Sequence, residues 1–231
     1  MRLVLWDIDG TLIRARGLFG SIWYQALRTV YRLEGELARI EMAGKTDGQI
    51  ALEILALHGW TETAATPHLD AFREMYVAAL HEVRSSLAEH VTVLPGVPET
   101  LERLASIGAR QSLLTGNYEA SARLKLGSVG LDHHFDFDIG AFGSDDRDRL
   151  RLVPVAIEKG RRLRDPSLGA DDIVVVGDTP RDIACARAGG ARVVAVATGR
   201  YARAELVEHR PDVLLESLRD TDSVVEAILG H

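Results

Sequence analysis

Cysteine is almost missing from this chain. Cys185 is the only one in 231 residues, so no internal disulfide can form, and a reducing compartment is the natural home. A basic excess is missing too. The formal net charge is −7, which argues against a nucleic-acid surface but leaves room for a small phosphorylated ligand, which needs only local positive charge. No stretch comes near the roughly 18–20 apolar residues of a membrane span, and no basic-then-apolar leader opens the sequence. Neither GxxxxGK[ST] nor GxGxxG occurs, which removes the usual nucleotide-binding fingerprints. The histidines His58, His68, His81 and His90 lack metal-ligand spacing, and there are no repeats or low-complexity tracts. The expectation is a soluble, cytoplasmic protein with neither nucleic acid nor membrane as partner.

What is present is a set of short apolar runs: Leu3–Ile8, Gln111–Thr115, Ile173–Gly177, Arg192–Ala197 and, more weakly, Asp212–Leu215. Continuous runs of this kind, alternating with helical patterns, read as strands buried on both faces of a parallel sheet. The helices between them have legible ends. Pro98–Ile107 stops at Gly108, Thr179 caps a helix that has Pro180 at its first position, and another helix covers about Leu152–Leu163. Nearly a hundred residues separate the first two strands, with helical spacing over Leu18–Leu33, Asp47–His58 and Pro67–Glu89. The expected fold is α/β, a doubly wound parallel-sheet (Rossmann-like) core of residues 1–14 and 93–231, with a helical cap domain inserted at 15–92.

In an open parallel sheet, ligands bind outside the carboxyl ends of the strands. Asp7 and Asp9 follow the first strand, Thr115-Gly116-Asn117 the second, and Asp178 the run Val174–Val176, with Asp182 one helical turn further on. Acids converging on one crevice repel each other, and burial makes each more costly. A hard divalent cation with oxygen ligands resolves the conflict, and Mg²⁺ is the expected ion. An EF-hand is excluded by counting: from Asp7, the sixth and twelfth positions are Leu12 and Leu18 instead of glycine and glutamate.

The set DIDGT, LLTGN and VVVGDTPRD, in this order, resembles the haloacid dehalogenase-like hydrolases, in the capped branch that includes phosphoglycolate phosphatase-like and β-phosphoglucomutase-like enzymes. The resemblance spans about residues 2 to 216. It implies that Asp7 is the nucleophile, passing through an aspartyl-phosphate, and that Asp9 is the general acid and base. Aspartate at this second position implies phosphoryl transfer and not dehalogenation. Thr115 would offer its hydroxyl to the phosphoryl group and Gly116 a close backbone approach. Asn117 would cap the following helix or contact substrate. The metal set would be Asp7, Asp9 through its carbonyl, Asp178 and, through water, Asp182.

The family's third motif is a lysine in a K-P-x-P context, and no such motif exists here. Arg151-Leu152-Val153-Pro154 is the nearest match, which puts Arg151 in that role, with Arg147, Arg149 and Lys159 as rivals. In the cap, Gly44-Lys45-Thr46-Asp47-Gly48 precedes a helix; Asp47 fits an amino-terminal cap, and Lys45 is a candidate contact for the leaving group. The expected function is a Mg²⁺-dependent phosphatase of a small phosphorylated metabolite, phosphoglycolate-like or a sugar phosphate. A phosphomutase and a non-catalytic phosphate-binding module are the alternatives.

Overall fold

The computed structural model describes residues 2–230. Six parallel strands form one sheet in the order β5-β4-β1-β6-β7-β8: β1 Leu3–Trp6, β4 Arg110–Thr115, β5 Ala141–Phe142, β6 Ile173–Gly177, β7 Arg192–Val196 and β8 Val213–Leu215. A pair of three-residue strands, β2 Ile13–Ala15 and β3 Val91–Val93, runs antiparallel at the base of the long insertion. The chain lays β4 and β5 on one side of β1, then returns to place β6, β7 and β8 on the other. Strand order therefore reverses at β1, and the crevice of such a sheet opens at that switch point.

Burial explains the strand sequences. Leu3, Val4, Leu5 and Trp6 are all inaccessible, and successive side chains enter opposite layers. Val4 and Trp6 join the cluster that holds Leu101, Leu104 and Ile228, from α5 Val97–Ser106 and α10 Thr221–Leu229. Leu3 and Leu5 join Leu152, Val153, Ile183 and Ala186, from α7 Leu152–Leu163 and α8 Pro180–Ala188. The two remaining core helices are α6 Glu119–Ser128 and α9 Arg203–Glu208. No helix among the described residues is long and apolar enough to cross a membrane.

Between β2 and β3 lie α1 Leu18–Tyr31, α2 Asp47–Leu57, α3 Glu62–Ala65 and α4 Leu69–Glu82. α1 packs on α4 through Trp23 and Phe72, edge to face with ring centroids 5.0 Å apart. Phe72 in turn meets Tyr118 of the core at 6.2 Å, so this apolar cluster is continuous with one layer of the sheet.

The helix expected over Pro67–Glu89 is divided. A 3-10 turn at Thr66–His68 precedes α4, and a second 3-10 segment covers Arg84–His90. The apolar stripe runs on through the break: Phe72, Tyr76 and Leu80 are buried in α4 and Leu87 beyond it. The amide and hydroxyl of Ser86 both donate to the Val83 carbonyl, closing a three-residue turn in place of a helical one. Strand β5 left no periodicity to read, being two residues long.

Candidate active site

Parallel pairing aligns the strand ends, and the reactive side chains follow from that register. Trp6 pairs with Leu113 and Val176, and the Asp7 amide donates to the Val176 carbonyl at 2.9 Å. Asp7, Thr115 and Asp178 thus emerge together at the carboxyl edge. Oxygens of Asp7, Asp178 and Asp182 lie within 4.8 Å of one another, and all three residues are buried. Gly10 makes this possible. Its φ of +99° is left-handed, and a Cβ there would lie 2.7 Å from the Asp178 carboxyl carbon. Thr11 Oγ1 donates to Asp178 Oδ1 at 3.1 Å.

Asp182 has a double task. Its Oδ2 accepts from the amide and hydroxyl of Thr179, at 2.9 and 2.7 Å, completing a capping box at the start of α8, while its Oδ1 accepts from Arg149. Arg149 Nη2 also donates to Asp7 Oδ1 at 2.9 Å, and the guanidinium is buried. Arg149 therefore occupies the place expected of Arg151. Arg151 is largely exposed and pairs with Asp146 at 3.2 Å. The reason is local. Arg149–Arg151 form a single 3-10 turn ahead of α7, and at three residues per turn positions 149 and 151 face different ways. The other two rivals also lie outside: Arg147 pairs with Glu62 at 2.6 Å and Lys159 with Asp145 at 2.7 Å.

Electrostatics follow from three buried acids facing one buried cation. Burial, then the neighbouring Asp182 carboxylate, push Asp7 up to about 7 against the opposing pull of Arg149. Burial and the Asp7 charge hold Asp178 well above the usual carboxylate range. Burial works to lower the pKa of Arg149, but Asp182 and Asp7 outweigh it and keep the guanidinium firmly charged. Its Nε is buried and has no hydrogen-bond partner among the described residues.

Asp9 points into the cavity and away from the three-acid cluster. It accepts at Oδ2 from Lys125 Nζ at 2.6 Å and from Asn117 Nδ2 at 2.8 Å. Lys125, buried on α6, also donates to Asn117 Oδ1 at 2.7 Å. Asn117 is no helix cap. Tyr118 holds that position, and the Asn117 amide bridges Asp9 and Thr115 Oγ1, 2.8 Å from each. Sequence reasoning missed Lys125. The available signal was a lysine within the buried pattern Ser121, Ala122, Lys125, Leu126 of an otherwise ordinary helix.

The insertion meets this edge by backbone. The Asp47 amide donates to the Gly116 carbonyl at 2.8 Å, and Asp47 Oδ2 accepts from the Tyr118 amide at 2.9 Å. Thr46, and not Asp47, caps α2 by accepting from the Gln49 amide. A Cβ on Gly116 would lie 2.7 Å from the carbonyl carbon of Lys45 and 2.9 Å from Thr46 Cα, so the glycine admits the insertion's backbone. Gly116→Ala is expected to cost about 1–3 kcal/mol by overpacking and to shift the 45–47 segment. Thermal melts and turnover of the variant check this, and an unchanged melt would dismiss the contact as slack. Lys45 borders the cavity but is paired with Glu53.

An all-oxygen cluster of three carboxylates with a single cation among them fits a hard divalent ion, which would supply the missing positive charge.

Residues 1–190 match a family model described as haloacid dehalogenase-like hydrolase. A pyrophosphatase PpaX of Bacillus pumilus is 27% identical over 226 residues, covering 97% of this chain and 96% of its own. Among solved structures, a predicted phosphatase from Clostridium acetobutylicum superposes with a TM-score of 0.70 at 19% identity, over 97% of this chain and 98% of that one. A predicted phosphoglycolate phosphatase from Haemophilus somnus gives 0.68 at 20% identity, over 97% of both chains.

Proposed function

Because the chain belongs to the haloacid dehalogenase-like hydrolase family and is a phosphatase of that family, we propose that it releases phosphate from a small phosphorylated metabolite with the help of Mg²⁺, and that Asp7 is its nucleophile. The observation that carries this reading is the Asp7, Asp178 and Asp182 cluster at the switch point of the sheet, with Arg149 joining Asp7 to Asp182. Relatives named pyrophosphatase and phosphatase support the same class of chemistry.

Arg149 holds Asp7 Oδ1, and Oδ2 accepts no hydrogen bond among the described residues, which leaves it for attack. A bond forms from Oδ2 to phosphorus as the bond from phosphorus to the leaving oxygen breaks, and Asp9 delivers a proton to that oxygen. Asp9 then takes a proton from water, which attacks the aspartyl-phosphate and frees inorganic phosphate. Lys125 and Asn117 fix the Asp9 carboxyl for both steps. Arg149 and Thr115 offset charge on the transferring group, and the uncommitted Arg149 Nε is a donor for one of its oxygens. Asp7, Asp178 and the Asp9 carbonyl would hold Mg²⁺, which supplies further charge neutralisation when bound. Asp182 acts on the site through Arg149. The helices between residues 15 and 92 serve as the cap that excludes water and selects the leaving group.

The test is release of inorganic phosphate from a panel of phosphorylated metabolites, with Mg²⁺ or with chelator. Metal-dependent release supports the reading. Isomerised sugar phosphate without free phosphate would turn it to a mutase, and no chemistry on any compound would overturn it.

The raised acids make a second prediction. Folded Asp7 keeps its proton up to about pH 7, whereas an unfolded aspartate loses it near 3.8. Between those values the folded state binds more protons, so stability declines as pH rises. In chelator, the melting temperature should fall between pH 5 and pH 8 by on the order of 10 °C. Mg²⁺ should remove most of that fall, stabilising more at pH 8 than at pH 5. A melt that is flat with pH in chelator would refute the charge-repulsion account.

A further inference from the structure

The cavity beyond Asp7 encloses about 400 Å³, within the range of about 300–1,000 Å³ of small-molecule sites. Its charged floor is the site already described. Its walls come from the insertion: Phe19, Trp23, Tyr24, Met42, Ile50 and Tyr76. Two of the polar atoms of these walls are turned toward other protein groups. Trp23 Nε1 donates to Asp47 Oδ1 at 3.1 Å, and the Tyr24 hydroxyl lies 4.0 Å from Met42 Sδ. Most of what faces the space is ring surface and aliphatic carbon.

The charges around the cavity are already matched. Lys45 is paired with Glu53, Lys125 with Asp9, and Arg149 with Asp7 and Asp182. Among the described residues, no cation lining the cavity lacks a carboxylate. A second phosphate or a carboxylate on the substrate would enter a largely apolar space and would have to draw Lys45 or Lys125 away from its present carboxylate, a cost that a neutral group avoids. A cationic tail fares no better. Asp47 is the carboxylate set among these walls, and both its oxygens are taken, by Trp23 Nε1 and the Tyr118 amide.

From this arrangement we infer that the substrate is a phosphate monoester whose departing alcohol or phenol is uncharged and apolar, with an aromatic ring suited to the walls. This deepens the phosphatase reading above and rests on it. The reaction is hydrolysis: water supplies the oxygen that ends on phosphorus, the ester P–O bond breaks, and the neutral alcohol leaves with the proton from Asp9. Burying a ring against Phe19, Trp23 and Tyr76 should favour benzyl phosphate over glycerol phosphate by on the order of thirtyfold in kcat/KM. The margin over phosphoglycolate and pyrophosphate should be larger, because these add a charge that must break an existing ion pair.

Two measurements separate the possible failures. The first compares kcat/KM with Mg²⁺ for benzyl phosphate, glycerol phosphate, phosphoglycolate, pyrophosphate and phosphocholine. Preference for benzyl phosphate supports the inference. Preference for any of the other four overturns it and leaves the phosphatase reading standing. The second follows tryptophan fluorescence of the Asp7→Asn protein as benzyl alcohol or glycolate is added, with Trp23→Phe on the same background to assign the signal. If no compound is hydrolysed, a Trp23-dependent response to benzyl alcohol alone upholds the character of the cavity while the catalytic reading fails. No response, or an equal response to glycolate, removes the inference as well.

Discussion

Replacing Arg149 with methionine is expected to lower kcat/KM by about 10³–10⁵, the range seen when a cation facing a transferring phosphoryl group is lost. Arg151→Met should stay within about twofold of wild type, because Arg151 is solvent-facing and engages only Asp146. The contrast tests the geometry, since the two residues are neighbours but one. Arg149 is the only cation in contact with Asp7 and Asp182 among the described residues, so its loss also leaves buried acids unmatched. Breaking such a buried pair costs about 3–5 kcal/mol, and the melting temperature should fall accordingly. Arg149→Lys should recover the fold better than the activity, because a single ammonium reproduces the charge but not the fork that reaches both carboxylates. Steady-state kinetics and thermal melts of the three variants decide the matter. Equal damage from Arg151→Met would return the role to that residue.

Asp7→Asn should move activity and stability in opposite directions. Without the carboxylate there is no nucleophile, and turnover should drop by about 10⁴-fold or more. The same change removes a charge that burial and Asp182 oppose, while the amide oxygen can still accept from Arg149. In chelator at pH 8 the variant should therefore melt several degrees above wild type, and Mg²⁺ should bind it more weakly. Activity near wild type would dismiss Asp7 as nucleophile. A lower melting temperature in chelator would show that the acid cluster is not repulsive, and the argument for a divalent ion would lose its physical basis.

The fold was legible because its signals are redundant. Leu3–Trp6 and Ile173–Gly177 are continuous apolar runs, and both proved to be fully buried neighbours in one parallel sheet. Thr179 and Pro180 announced α8 by capping chemistry alone, and Thr179 does accept from the Asp182 amide. The positions of Asp7, Thr115 and Asp178 followed from strand register, which places the ends of adjacent strands side by side. Arg149 did not follow, because a three-residue 3-10 turn has no sequence signature strong enough to decide which of several arginines turns inward. Lys125 was hidden for another reason. It reaches Asp9 from eight residues beyond Asn117 along α6, so only the packing of that helix against the crevice brings the two together. Asp47 read as a helix cap because the local pattern allowed it. Its real partners, Trp23 and the Tyr118 amide, lie on two other elements, and a cap rule applied to one helix has no knowledge of them.

The clasp between Asp47 and the Gly116–Tyr118 segment has a consequence for how such a protein can diversify. The insertion is joined to the core by two chain crossings at β2 and β3, which suggests a part that could be exchanged whole for another specificity. Asp47 and Gly116 impose a condition on any exchange. An incoming segment must present both a backbone amide to the Gly116 carbonyl and an acceptor to the Tyr118 amide, and it must pass its own backbone over a residue with no side chain. Chimaeras joined at 15 and 91 that keep this three-point seam should inherit a working Thr115 loop together with the donor's preference. Those that break it should fold around a misaligned one, so new specificity is reached more readily by repainting the cavity walls than by replacing the helices that carry them.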